Sequence, residues 1–255
     1  MTADLFLFGC SHAGRLQKGA EVIGLRVAGG ALMRGRLWDE DAFAFDPSRG
    51  LNFADPMARA RLNAALAAAG ASRLEDVRLP IVTTLGFQLD LVQDEISRRH
   101  TLARDPDDAR DFITIEALGA IVAARRGPLL DLLGWLAAGG ATVVLVAPPA
   151  RHPDAPLAAA LEAIVGREAA RRGVRVVSPR PWSTGPDGRL RPEFEARKDG
   201  DTVHGNAYFG ARAMAEVAEA LGLPVTIPAE SLASADAFDA FAQRSRRLAA
   251  RAFSG

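Results

Sequence analysis

The sequence predicts an α/β fold in which a five-stranded parallel sheet is flanked by helices. Short runs rich in β-branched and other apolar residues alternate along the chain with longer segments rich in alanine and leucine. This alternation is typical of parallel strands that are connected by helices. The length of 255 residues suits one large domain, and 49% hydrophobic residues with 24% charged residues is the composition of a protein with a real core.

Five runs have the composition of strands, and each is followed by residues that stop a strand. The clearest run is Thr-Val-Val-Leu-Val, which ends before Pro148 and Pro149. We predict strands at 4–8, 21–27, 79–85, 141–147 and 173–178.

Helix start and stop signals lie between these runs. Asp55 suits an N-cap, Pro56 the first helical position and Gly70 the residue that ends the helix. The same kinds of signal predict helices at 105–126, 128–138, 155–172 and 206–221, with a helical, arginine-rich tail at 229–253.

We expect one main domain over residues 1–222, with insertions at about 32–78 and 87–126, and a helical extension over 223–255 that packs on it or flanks it. Both insertions follow the carboxyl ends of predicted strands. Ligands bind at that edge of an open parallel sheet, so the insertions either shape substrate selectivity or only complete the packing.

Charge and composition exclude several classes of protein. The 31 basic and 31 acidic residues give no net charge, which argues against a nucleic-acid partner or a basic membrane-surface protein. A single cysteine excludes a disulfide framework and a cysteine-based zinc site. No apolar run approaches the ~20 residues of a membrane span, and the run at 5–8 is too short for a secretory signal. We therefore expect a cytoplasmic protein.

Two short segments carry residues suited to nucleophilic catalysis. In the first, Ser11 follows a glycine turn at the end of the first strand, so its hydroxyl and its backbone N–H face the carboxyl edge of the sheet. A serine hydroxyl needs a base, and His204 with Asp201 three residues before it supplies a base and a carboxylate to orient it. Ser11 or Asp201 alone would be interpreted as a helix cap, but together with His204 they favour a nucleophilic site.

The segments Gly9-Cys10-Ser11 and Asp201-Thr202-Val203-His204 resemble the two signature blocks of SGNH or GDSL-type serine hydrolases. In that family a Gly-Asp-Ser block follows the first strand and an Asp-x-x-His block lies near the C-terminus. The resemblance covers roughly residues 4–222 and implies a flavodoxin-like, three-layer α/β/α fold. It also implies that Ser11 is the nucleophile, His204 the general base and Asp201 its orienting group.

Cys10 departs from the family pattern, because aspartate is usual at that position. The aspartate supports the turn and takes no part in the triad. Cys10 is also an alternative nucleophile, since a thiolate is intrinsically more reactive than a hydroxyl.

The resemblance further implies an oxyanion hole with three donors. The first is the backbone N–H of Ser11, and the second is that of a glycine after strand two, where Gly30 fits, with Gly29 beside it. The third is usually the asparagine of a Gly-x-Asn block after strand three. Gln88 stands there in this chain, and Asn52, in a literal Gly-Leu-Asn, is the alternative.

Four further residues are candidates for substrate binding: His12, Arg34, Asn206 and His152. Arg34 and the nearby Arg36 would bind an anionic group or are solvated charges. His12 would orient a substrate oxygen or cap its turn, and His152 is more simply interpreted as a surface-loop residue. A metal site formed by His12, His152 and His204 is an alternative, although it would leave Ser11 without a role.

These observations predict a serine esterase that hydrolyses a small O-acyl ester and requires no cofactor or metal. The family resemblance suggests a small acyl group and a carbohydrate alcohol. Two alternatives remain: an acyltransferase that uses the same site, and a non-catalytic binding protein on the same fold.

Overall fold

A five-stranded parallel sheet flanked by helices organises the chain, which confirms the predicted fold class. The computed structural model describes residues 3–38, 43–105, 107–196, 201 and 203–252, apart from the side chains of residues 36, 90 and 245–252. The strands, in chain order, are β1 (Leu5–Gly9), β2 (Val27–Ala31), β3 (Phe43–Asp46), β4 (Gly50–Phe53), β5 (Ile81–Thr83), β6 (His100–Thr101), β7 (Asp111–Phe112), β8 (Val143–Val146) and β9 (Arg175–Val177).

The helices lie between and after these strands, mostly where start and stop signals predict them. They are α1 (Ser11–Val22), α2 (Pro56–Ala68), α3 (Asp90–Ser97), α4 (Ile115–Ala138), α5 (Ala155–Arg171), α6 (Arg180–Ser183), α7 (Ala207–Leu221) and α8 (Ala235–Ala252).

The main sheet has the strand order β2-β1-β5-β8-β9, with every neighbouring pair parallel. The chain moves from β1 outward to β2 and then returns to the other side of β1 to form β5. The connections that leave the carboxyl ends of β1 and β5 therefore diverge, and a crevice opens between them.

Both faces of the sheet are covered, which produces three layers. All five residues of β1 are buried. Phe6 and Phe8 point into a core shared with α2, α4 and α5, whereas Leu5 and Leu7 point into a core shared with α1 and α7. Complete burial on both faces explains why the central strands are continuously apolar and do not alternate with polar residues.

The second strand lies later in the chain than the sequence predicts. The prediction placed it at 21–27, but α1 continues to Val22 and Gly24, at φ 85°, turns the chain into β2 at Val27–Ala31. Ile23, fully buried, packs with the apolar face of α1. Periodicity alone does not distinguish a short apolar run in a strand from the end of a buried helix.

The two helices predicted at 105–126 and 128–138 are a single helix. The 24-residue α4 begins after Thr114, whose side chain accepts a hydrogen bond from the Ala117 N–H at 3.2 Å, and it passes through Pro128 without ending. A proline inside a helix removes one hydrogen bond. Here the buried leucines that follow it, such as Leu129 and Leu130, keep the second half packed on the sheet.

The regions predicted as insertions contain additional small elements. The first holds the antiparallel hairpin β3–β4 and helix α2, and the second holds α3 and the two-stranded parallel pair β6–β7. In the tail, α8 packs against α7 through Phe238, whose ring centroid lies 5.3 Å from that of Tyr208. None of the helices in the described part of the chain combines the length and hydrophobicity needed to span a bilayer.

Helices α1 and α7 approach each other closely because a glycine on each helix faces the other. A Cβ atom on Gly19 would lie 2.1 Å from the carbonyl carbon of Gly210. A Cβ atom on Gly210 would lie 2.4 Å from the backbone oxygen of Arg15. The contact therefore leaves no room for any side chain at either position.

We expect Gly19→Ala to lower the free energy of unfolding by at least about 2 kcal/mol, because the new methyl group would force the two backbones apart. Gly14→Ala in the same helix is the matched control, since its nearest neighbour would be the Cβ of Ala31 at 3.9 Å. The control should be neutral or stabilising by up to about 1 kcal/mol, as alanine favours helix. Urea unfolding of both variants tests this, and equal stabilities would contradict it.

Candidate active site

A cavity of about 360 Å³ lies at the carboxyl edge of the sheet, beside the ends of β1 and β5. Its walls come from the start of α1, the loops after β2, β5 and β8, helix α3 and the segment before α7. The lining residues are Cys10, Ser11, His12, Gly35, Phe87, Gln88, Asp94, Pro148, Pro149, Arg151, His152, Pro153 and Val203.

Ser11 is the first residue of α1, directly after a tight turn. The turn is held by Thr84, whose Oγ1 accepts a hydrogen bond from the Cys10 N–H at 3.2 Å. Gly9 is required here, because a Cβ atom would lie 2.4 Å from the same Oγ1. As the first residue of a helix, Ser11 has a backbone N–H with no partner inside the helix, directed towards the cavity end of α1.

Three of the residues selected from sequence form a continuous hydrogen-bonded chain. Ser11 Oγ lies 2.7 Å from His204 Nε2, although the two residues are 193 positions apart. His204 Nδ1 lies 2.8 Å from Asp201 Oδ2. Because a carboxylate accepts, Nδ1 carries the imidazole proton, and Nε2 accepts the hydrogen bond from the serine hydroxyl.

Asp201 is held as a carboxylate by several donors. Partial burial favours its protonated form, but the backbone N–H groups of His204 and Val203 donate to Oδ1, each at 2.9 Å. The Arg15 guanidinium lies 2.7 Å from Oδ2, and His204 donates to the same oxygen. Together these donors hold the pKa of Asp201 well below its usual range.

Two arginines that sequence reasoning missed support this chain. Arg15 lies one helical turn after Ser11 on α1, and this i, i+4 spacing is a signal that the sequence contained. Arg151, after β8, donates from Nη2 to the backbone oxygen of His204 at 2.9 Å and lies 3.6 Å from a Glu195 oxygen. This contact depends on the fold alone and has no local signal.

His12 packs its ring against the ring of His204, with centroids 4.7 Å apart. Burial, the largest cause, and the neighbouring His204, Arg151 and Arg15 together lower the pKa of His12 to about 3, while Asp201 opposes them. The His12 side chain is therefore neutral where it lines the cavity, so it places no positive charge beside the His204 ring.

Gln88 lines the cavity and is fixed in place by its own loop. Its Oε1 accepts from the Gly86 N–H at 2.8 Å, and its Nε2 donates to the Thr84 carbonyl at 3.1 Å. The backbone oxygen of Gln88 accepts a hydrogen bond from Arg126, a fully buried residue of α4. An amide nitrogen carries two hydrogens, so one Nε2–H of Gln88 remains beyond the bond to Thr84.

The glycine and asparagine candidates fall elsewhere. Gly30 lies within β2, paired with Phe8 of β1, and the glycine that lines the described part of the cavity is Gly35. A Cβ on Gly35 would contact Gln88 Cγ at 3.5 Å and Cys10 Cβ at 3.9 Å. The sequence placed the end of the second strand at residue 27, before Gly30. The strand ends at Ala31, so the glycine in the loop that follows it is Gly35. Asn52 is exposed on the β3–β4 hairpin, away from this cavity.

The other candidates have different environments. His152 lines the cavity, whereas Arg34 is exposed outside it, and the side chain of Arg36 lies outside the described residues. Asn206 is an N-cap of α7: its Oδ1 accepts from the Phe209 N–H at 3.0 Å, and its Nδ2 donates to a backbone oxygen at 2.7 Å. These two hydrogen bonds give Asn206 a structural role at the start of α7.

Cys10 is buried, and its Sγ lies 3.3 Å from Thr84 Oγ1. It also lines the cavity, but the adjacent Ser11 is the residue whose side chain contacts the imidazole. Over the described ranges, the structure brings no three His, Cys, Asp or Glu side chains together as a metal site.

The pKa of His12 makes stability depend on pH. In the unfolded chain histidine gains a proton near pH 6.5, whereas in the folded protein His12 stays neutral down to about pH 3. The unfolded state therefore binds more protons across this window, and stability falls as the pH decreases through it. Between pH 7 and pH 5 we expect the wild type to lose about 1–2 kcal/mol relative to His12→Gln.

Urea unfolding of both proteins at several pH values measures this difference, and NMR titration of the His12 ring provides an independent check. Parallel stability curves, or a His12 signal that titrates above pH 5, would contradict the expectation.

The sequence was compared with protein-family models and with curated proteins, and neither comparison found a match. Among solved structures, the chain is similar to a GDSL-like lipase from Bacteroides thetaiotaomicron. The two share 14% sequence identity over 86% of each chain, with a TM-score of 0.43. At this level of likeness, the function has to be argued from the site itself.

Proposed function

We propose that this protein is a serine hydrolase that cleaves carboxylic esters by acyl transfer through Ser11. The observation that carries the proposal is the unbroken chain of hydrogen bonds from Ser11 through His204 to Asp201, with distances of 2.7 and 2.8 Å. Nucleophile, base and orienting carboxylate are the three parts that this chemistry needs.

In the first step, Ser11 Oγ attacks the ester carbonyl carbon while its proton moves to His204 Nε2. The imidazolium that forms is stabilised by Asp201, which is ionised at working pH because its pKa is lowered. Arg15 holds the carboxylate in the orientation that meets Nδ1. The three side chains are therefore already arranged for the reaction before a substrate binds.

The carbonyl oxygen becomes negatively charged during the attack and needs donors on the cavity side. We assign the Ser11 N–H, at the positive end of the α1 dipole, as the first donor. The remaining Nε2–H of Gln88 is the second, and the N–H of Gly35 takes the place that the sequence assigned to Gly30. Gly35 and Gln88 adjoin each other in the cavity wall, which supports their acting together.

The tetrahedral intermediate then collapses, and His204 Nε2–H gives its proton to the leaving alcohol oxygen. A water molecule enters, loses a proton to His204 and attacks the acyl-serine carbonyl. Release of the carboxylic acid returns Ser11 to its hydroxyl form. All proton transfers use one imidazole nitrogen, so no metal or cofactor is needed for this sequence of steps.

Ser11→Ala should lower kcat/KM on a small aryl acetate by about 10⁴-fold or more, because the nucleophile is lost. The matched variant is Cys10→Ala, which should keep most of the activity. A fluorophosphonate probe should label the wild type and Cys10→Ala but not Ser11→Ala, as judged by intact-protein mass spectrometry. Activity that survives in Ser11→Ala, or is lost only in Cys10→Ala, would sink the assignment.

Gln88→Glu tests the oxyanion donor. The glutamate keeps an oxygen for the Gly86 N–H but removes both Nε2 hydrogens, the one donated to the Thr84 carbonyl and the one assigned to the oxyanion, so kcat should fall by about 10²–10³-fold. KM should change little, because the lost bond strengthens only in the transition state. Asn52→Asp is the matched control and should leave kcat within about twofold, and equal losses in both variants would remove Gln88 from this role.

A further inference from the structure

His152 occupies a buried position in the loop after β8. Its side chain is 6% exposed, and it forms part of the wall of the same cavity as Ser11. On its other side it borders a second cavity, of about 590 Å³, together with Ser97 and Arg110. The imidazole is therefore part of the walls of both cavities.

The hydrogen bonds of the ring determine which nitrogen donates. The Asp154 backbone N–H points at His152 Nδ1 at 3.1 Å, and the carbonyl of the same residue is more distant, at 3.5 Å. Nδ1 is thus an acceptor in the neutral ring, and the proton resides on Nε2. A protonated ring also carries hydrogen on Nε2, so this atom is a donor in either state.

That donor has no hydrogen-bond acceptor within the described residues, although it is buried. The nearest charged group is the carboxylate of Asp94, whose Oδ1 lies 3.4 Å from Nε2 without hydrogen-bonding geometry. Asp94 is on α3, 54% exposed, and also lines the Ser11 cavity. Buried donors are nearly always paired, so the partner of this one, beside a cavity, is a water molecule or an acceptor on a ligand that displaces it.

We propose that His152 and Asp94 form a subsite that binds a free hydroxyl group of the ester substrate. The hydroxyl oxygen accepts from His152 Nε2–H, and the hydroxyl hydrogen is donated to the Asp94 carboxylate. One hydroxyl satisfies both groups because it donates and accepts through the same oxygen.

Charge excludes the simplest alternatives to a hydroxyl. A carboxylate or phosphate in this position would be repelled by Asp94, and an ammonium group would offer no acceptor to Nε2–H. A fully apolar substituent would leave the buried His152 Nε2–H without an acceptor, although the exposed Asp94 would stay hydrated. The preferred substrates are therefore esters of diols or polyols that retain a free hydroxyl near the ester, and this conclusion rests on the proposed function.

The test compares 2-hydroxyethyl acetate with propyl acetate, which differ in a hydroxyl and a methyl group of similar size. We define the selectivity as the ratio of their kcat/KM values, divided by the ratio of their hydroxide-catalysed rates. The wild type should show a selectivity of at least about tenfold, typical of a buried hydrogen bond gained or lost. In His152→Phe, which keeps a ring but no donor, it should fall to about one.

Asp94 is largely exposed on α3, so Asp94→Ala should leave the packing of His152 unchanged. This variant should lower the selectivity by a similar factor. Glu95→Gln is its matched control, because Glu95 is the next residue on α3, is 69% exposed and pairs with Arg125 instead. The control should keep the wild-type selectivity.

Failure of this subsite and failure of the proposed function give different results. An enzyme that hydrolyses an aryl acetate through Ser11 but has a selectivity near one, or keeps it in both variants, overturns the subsite alone. A wild type that hydrolyses none of these esters and is not labelled at Ser11 overturns both.

Discussion

The glycine contact between α1 and α7 is the constraint on which the geometry of the site depends. Gly19 and Gly210 let the two helix backbones touch. One helix begins with Ser11 and the other directly follows the turn of His204, so their separation sets the distance between hydroxyl and imidazole. Arg15, on the same face of α1, reaches Asp201 by virtue of the same close approach. A packing feature remote from the cavity thus controls a hydrogen bond of 2.7 Å inside it.

Local sequence signals were sufficient for the fold class, and they selected three residues that the structure brings into one hydrogen-bonded chain. The alternation of apolar runs with helical segments predicts the parallel sheet, because strands buried on both faces and amphipathic helices differ in composition. Ser11 and the pair Asp201 and His204 were identified by their local turns. Their order around the sheet follows from the topology, since the loops after β1 and before α7 meet at the same edge.

The features that the sequence did not reveal depend on contacts between residues that are far apart in the chain. The start of β2 depends on whether Ile23 packs as helix or strand, and because of this ambiguity the sequence placed Gly30 after the strand, whereas it lies within it. Continuation of α4 through Pro128 depends on burial of its second half, which outweighs the lost hydrogen bond. Arg151 binds a backbone oxygen from a separate loop, a contact that carries no local pattern.

The buried Arg126 has a consequence for how the cavity responds to a substrate. Its guanidinium is fully buried in α4 and donates to the backbone oxygen of Gln88, so the loop after β5 cannot swing outward without separating a charge from its acceptor in an apolar interior. This bond fixes the backbone of that loop to α4. In the proposed reaction, little reorganisation energy is then needed to orient the amide dipole of Gln88 towards the developing oxyanion.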